Sequence, residues 1–254
     1  MRNKYLLIAT FCVLMMAACR SSYRVTGIER TRVLIDDRYD GAITEELKTY
    51  IAPFKASVDS VRKPVVGRTA RYLSAYRPES PLSNLLPDIL VWGAAKFDEH
   101  PDFGVYNIGG MRAAFAEGTI TFGDVMEVAP FENKICFLTL SGEKVLELFR
   151  QIVGRGGEGV SSSVQLTARA SDRQLVQACI NGVEVDPVKK YRIVTIDYVA
   201  QGNDDMTAFK AGTDVLMPKA EENNVRYVIS SYFKEKLQRG EAVDAKVEGR
   251  IVMN

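Results

Sequence analysis

The chain has 254 residues, with 33 Lys plus Arg against 32 Asp plus Glu, one histidine and four cysteines. No run of like charge and no basic stripe interleaved with aromatics occurs, so a nucleic-acid polymer is not the expected partner. The length suits one domain with a sizeable core behind a short lead-in.

The opening MRNKYLLIATFCVLMMAAC combines Arg2 and Lys4 with an apolar run from Tyr5 to Met16 and small residues ahead of Cys19. The run is shorter than the about 20 residues a membrane span needs. It reads as a signal peptide, residues 1–18, and Met-Ala-Ala-Cys resembles a bacterial lipobox, which makes Cys19 the expected lipidated residue. Arg20 follows where an Asp would signal inner-membrane retention, which points to the outer membrane. Loss of Arg2 and Lys4 leaves 31 basic residues against 32 acidic ones, a nearly neutral mature chain.

Residues 19–30 read as a tether, and 31–62 as a lead-in of one strand (TRVLID) and one helix. Leu47, Ile51, Phe54, Val58 and Val61 recur at helical spacing, which Pro53 is expected to break. PVVGRTARYL reads as extended. Ser80 then caps a helix with Pro81 in its first position and a kink expected at Pro87. ICFLTL is a strand running into a capped helix that places Val145, Leu148, Phe149 and Ile152 on one face. Strands follow from Ser162 to Ala200, with Asn181-Gly182 as a hairpin turn. NNVRYVISSYFKEKLQR is a late helix, and EGRIVMN closes as a strand. Helices and strands in mixed order, without regular alternation, imply an α+β fold with antiparallel content. Cys136 and Cys179 sit in apolar strand-like runs and read as small buried thiols, with a disulfide as the alternative.

Five segments stand in a particular order: YRPESPLSNLLPD, NIGGMR, TFGDVMEVAPFEN, YRIVTIDYVAQGNDDM and a final EGRI. Together they resemble the C-terminal domain of the 5′-nucleotidases, over residues 63–254. The resemblance implies a layered α/β/β/α domain with mixed and antiparallel sheets, and a nucleotide or nucleoside as ligand. The family's Asn-Gly-Gly-Gly-Ile-Arg segment falls on Asn107 to Arg112, with Ile108 in place of its first glycine. Adjacent glycines mark either a turn or a close approach of backbone to ligand. The family's two base-stacking aromatics fall on Phe131 and Tyr198. Asn107 and Asn133 can offer donors and acceptors to base or ribose edges. Gly109 and Gly110 are implied to lie against the nucleotide, Arg112 to meet ribose or phosphate oxygens, Asp204 the sugar hydroxyls, and Gly156 the base edge. Judged singly, Phe131 and Tyr198 read as core residues, Asp204-Asp205 as a polar turn and Arg112 as an ion-pair partner; their joint occurrence in family order makes them a site.

Three departures stand out. The arginine expected three residues before Glu79 falls on Tyr76, with Arg77 one place along. The family's Gly-Gly-Asp-Gly loop reads Gly202-Asn203-Asp204-Asp205. No catalytic or metal-binding set is found: the single His100, in DEHPDF, reads as a solvated loop residue, and no Ser-His-Asp or Cys-His arrangement occurs. The lipobox at the start implies that the family's metallophosphatase domain, with its divalent metals, is a separate partner chain. The expected function is therefore the nucleotide-recognising subunit of a split 5′-nucleotidase. The alternatives are a stand-alone nucleotide- or nucleoside-binding lipoprotein and a purely structural module, and the aromatic pair with Arg112 and Asp204 argues against the last.

Overall fold

A computed structural model of the chain describes residues 24–29 and 44–254. The signal peptide, Cys19 and the strand expected over 31–36 lie outside the described residues. Residues 24–29 are exposed and have no regular structure. Ala52–Asn254 form a compact unit, and a helix runs across its start.

That helix, α1 (Glu45–Arg62), runs through Pro53 without interruption, contrary to the break expected there. None of its residues is buried, so water can take up the carbonyl that the missing proline N–H leaves free. The stripe at Leu47, Ile51, Phe54, Val58 and Val61 has helical spacing but is exposed.

The first strand, β1 (Val65–Thr69), pairs antiparallel with β3 (Gly118–Thr121). Between them lie α2 (Pro81–Gly93) and β2 (Phe103–Tyr106). Ser80 and Ser83 close a reciprocal capping box at the start of α2, as Ser80-Pro81 predicts, and Pro87 stands inside a helix that continues past it. A second capping box, Thr121 with Asp124, starts α3 (Phe122–Val128). Then come β4 (Ile135–Ser141), α4 (Gly142–Gly154) with Ser141 as its cap, and β5 (Gly159–Val160). Next is the run β6 (Val164–Arg169), β7 (Gln174–Ile180), β8 (Val183–Glu184) and β9 (Lys190–Ile196). Asn181 and Gly182 take φ of 53° and 76° between the paired Ile180 and Val183, the two-residue turn whose twist suits a hairpin. The chain ends with the short helix α5 (Asp197–Ala200), β10 (Thr213–Leu216), α6 (Val225–Gln238) capped by Asn224, and β11 (Ile251–Met253).

Two larger sheets result. One has the order β10-β4-β9-β2-β5 and is mixed, since β2 and β9 run parallel while the other pairs are antiparallel. The other has the order β11-β6-β7-β8, with β11 parallel to β6. Helix α2 packs on β2 and β5 and against α6, and α4 packs against β4 and β7. The ring of Phe103 on β2 meets Phe149 on α4 at 5.3 Å, so the face predicted for α4 is its core face. The fold is α+β with mixed and antiparallel sheets, as expected. Cys136 on β4 and Cys179 on β7 are free thiols in different sheets. Burial pushes the Cys136 thiol up to about 11.

The motif pair at the two ends of the domain has a structural role. Glu79, 4% exposed, accepts hydrogen bonds from Asn84 Nδ2 at 2.6 Å, Glu248 N at 2.7 Å and Ile251 N at 3.3 Å. Arg250, also buried, pairs with Asp88 at 2.7 Å and donates to the carbonyls of Asn84 and Val160. The start of α2 and the final strand are thus latched by charged side chains inside the fold.

Candidate functional site

The parallel pairing of β2 with β9 brings the ends of both strands to one edge of the mixed sheet. β4 runs antiparallel to β9 and starts at that edge, with Ile135 opposite Ile196. Three loops distant in sequence therefore converge: the turn after β2, the segment before β4 and the helix α5 after β9. They enclose a cleft of about 320 Å³ lined by Asn107, Gly109, Gly110, Arg112, Phe131, Asn133, Tyr198 and Asp204. Eight of the nine expected site residues thus share one cleft.

The ninth, Gly156, does not. It lies in a separate groove with Arg77, Arg155 and Arg173, just past α4, where Gly156 and Gly157 take φ of 88° and 110°.

Phe131 and Tyr198 are 48% and 40% exposed, so neither is a core residue; both offer ring surface to the cleft. Asn107 is 3% exposed, and its Nδ2 donates to Asp204 Oδ2 at 2.6 Å. Its Oδ1 is buried against Gly110 and has no donor among the described residues. The side-chain amide of Asn133 makes no hydrogen bond among the described residues, while its carbonyl accepts from Val225 N at 2.8 Å. Arg112 is exposed, and its Nη1 is 3.4 Å from the carbonyl of Gly109.

The glycines differ. A Cβ on Gly110 would come within 2.7 Å of Asn107 Oδ1 and 3.1 Å of the Tyr106 ring, so this position must be bare for Asn107 to fold back beneath the turn. A Cβ on Gly109 would meet Asp204 Oδ2 at 3.5 Å, an ordinary contact. The second glycine is therefore already required by the protein's own side chains.

Two residues that sequence reasoning passed over organise the site from behind. Glu158, 1% exposed, accepts from Ile108 N at 2.6 Å through one oxygen and from Arg155 Nε at 2.9 Å through the other. Arg77 pairs with that second oxygen too. Arg155 continues to Asp205 at 2.6 Å and approaches Asp204 at 3.6 Å. Burial works against the Arg155 charge, but Glu158, Asp204 and Asp205 together outweigh it and the pKa is raised. The available signal was two opposite charges three residues apart in GRGGEG, next to an apolar strand.

His100 is exposed, and its neighbour Glu99 is held below the usual carboxylate range by the Arg192 guanidinium. Among the described residues no group of three or more His, Cys, Asp or Glu side chains is arranged to hold a metal ion. The donor set present does not fit a pair of divalent metals.

An α+β domain with an aromatic, amide-lined cleft at the edge of a mixed sheet is thus defined. Residues 61–211, more than half of the chain, match the family "5'-nucleotidase, C-terminal domain", and the chain belongs to that family. It is 28% identical over 225 residues to the trifunctional nucleotide phosphoesterase protein YfkN of Bacillus subtilis, covering 81% of this chain and 15% of the relative. It is 25% identical over 228 residues to the cell wall protein Lmo0130 of Listeria monocytogenes, covering 83% of this chain and 29% of the relative. Among solved structures it resembles a 5'-nucleotidase precursor from Thermus thermophilus, with a TM-score of 0.68 and 26% identity over 83% of this chain and 43% of that one. The chain spans less than half the length of each of these proteins.

Proposed function

We propose that this chain is the nucleotide- or nucleoside-recognising subunit of a split 5′-nucleotidase in extracytoplasmic nucleotide catabolism. The metallophosphatase, with its divalent metals, is a separate partner chain. The observation that carries this reading is the half-exposed aromatic pair, Phe131 and Tyr198, on a cleft that also presents Asn107, Asn133, Arg112 and Asp204. A flat base stacked on two aromatic faces gains about 1 to 3 kcal/mol per stack. The unused amide of Asn133 supplies edge recognition, and Arg112 and Asp204 supply charge for phosphate and ribose. The family membership and the name of the YfkN relative support the nucleotide as ligand class.

Purified chain is expected to bind adenosine and AMP in calorimetric titration and, with added divalent metal, to hydrolyse neither AMP nor a cyclic nucleotide. Adding an exported metallophosphatase is expected to tighten binding and start turnover. Robust metal-dependent turnover by the chain alone, in a preparation free of other phosphatases, would overturn the split-enzyme reading.

The proposal includes an envelope location through a lipid on Cys19, supported by the lipobox-like Met-Ala-Ala-Cys and by the name of the Listeria cell wall relative. Cys19→Ala is expected to release the protein from membranes or leave its leader attached. Unchanged partitioning with normal processing, read by fractionation and intact mass, would remove the anchor.

A further inference from the structure

The loop that presents Asp204 is conformationally demanding. Asp204 and Asp205 both have left-handed backbones, φ 53° and 56°, where glycine is the default residue and Asp is tolerated less easily. Side-chain contacts hold this loop from several directions. Asn203 Nδ2 donates to the carbonyl of Tyr198 at 2.8 Å, Asn107 Nδ2 to Asp204 at 2.6 Å, and Arg155 binds Asp205 at 2.6 Å. Arg155 is itself gripped by the fully buried carboxylate of Glu158, whose other oxygen takes the Ile108 N–H at the start of the glycine turn. One buried carboxylate therefore ties two walls of the cleft together: the Asn107–Gly110 turn directly, and the Asp204 loop through Arg155.

Building on the nucleoside-binding reading above, we propose that Glu158 is a positioning residue for nucleoside recognition. It touches no ligand. Through Arg155 it holds Asp204 toward the sugar, in a loop where two residues with side chains stand at positions glycine would fill without strain. The contact is built for this role because Glu158 accepts hydrogen bonds only. In Glu158→Gln one oxygen can still accept from Ile108 N, but an NH2 group then faces the Arg155 guanidinium, and the grip on Arg155 is lost.

The test is a set of double-mutant cycles read by adenosine affinity on the full chain, with thermal melts of every variant. Glu158→Gln is expected to weaken adenosine binding about tenfold, and to lose most of that effect in an Asp204→Ala background while keeping it in a Phe131→Ala background. A merely structural role would weaken binding equally in both backgrounds. Arg155→Lys, at a part-exposed position, keeps the charge but cannot span Glu158 and Asp205 together, and is expected to follow the same pattern; it decides the matter should Glu158→Gln melt too low to measure. Wild-type affinity in both variants, or an undiminished penalty in the Asp204→Ala background, would overturn the positioning role while leaving nucleoside recognition standing. Absence of adenosine binding by the wild-type chain would overturn both.

Discussion

Phe131→Ala and Tyr198→Ala are each expected to weaken adenosine binding by about 1 to 3 kcal/mol, roughly a 5- to 150-fold loss, with little change in melting temperature. The asymmetry follows from exposure. A buried aromatic truncated to alanine costs about 3 to 5 kcal/mol of stability, because a packed ring leaves a cavity behind. These two rings are 48% and 40% exposed, so truncating them opens onto solvent and leaves no closed cavity, and the stability cost is correspondingly smaller. Phe131→Tyr and Tyr198→Phe keep the stacking face and should cost much less. Calorimetric titration with adenosine beside thermal melts separates the alternatives. Large melting losses with affinity intact would mean that the rings are structural, and the cleft would then have lost its recognition element.

Glu79→Ala is expected to cost about 1 to 3 kcal/mol of folding stability, since the buried N–H of Ile251 would lose its acceptor, while the part-buried N–H of Glu248 can turn to water. Asn84 suffers less, because its Nδ2 also donates to the carbonyl of Lys246 at 2.9 Å. Glu79→Gln retains an acceptor oxygen and should cost distinctly less than the alanine. Chemical denaturation of both variants, with the slope compared with that of wild type, measures the difference. A Glu79→Ala variant as stable as the parent would mean that water replaces the carboxylate without penalty. Adenosine binding by folded Glu79→Ala should be unchanged, because the latch between α2 and the terminal strand contributes no side chain to the cleft.

That latch explains part of what made the chain recognisable. YRPESPLSNLLPD and EGRI carry Glu79, Asn84, Asp88 and Arg250, which hold one another inside the fold. NIGGMR, APFEN and IDYVAQGNDD line the cleft. A linear resemblance weighs both kinds of motif alike; the packing separates the residues that close the domain from those that face its opening.

The sequence by itself determined what depends on near neighbours. Ser80-Pro81, Ser141 and Asn224 cap the helices that follow them, and Asn181-Gly182 turns its hairpin, because hydrogen bonds and φ preferences within a few residues suffice to specify caps and turns. The α+β class follows from the order of those elements. The helix through Pro53 ran against the local rule, since the cost of a missing N–H depends on whether water reaches the freed carbonyl, and that is set by exposure. Only the tertiary structure decided the site. The parallel register of β2 with β9 and the antiparallel register of β4 place Asn107, Phe131 and Tyr198 at one edge, and strand pairing over such distances is set by burial of whole faces, which no short segment encodes. The same long-range packing turned Gly156 out of the cleft, left Phe131 and Tyr198 half-exposed, and placed Glu158, inconspicuous in GRGGEG, where its buried charge must be shared between the Ile108 amide and two arginines.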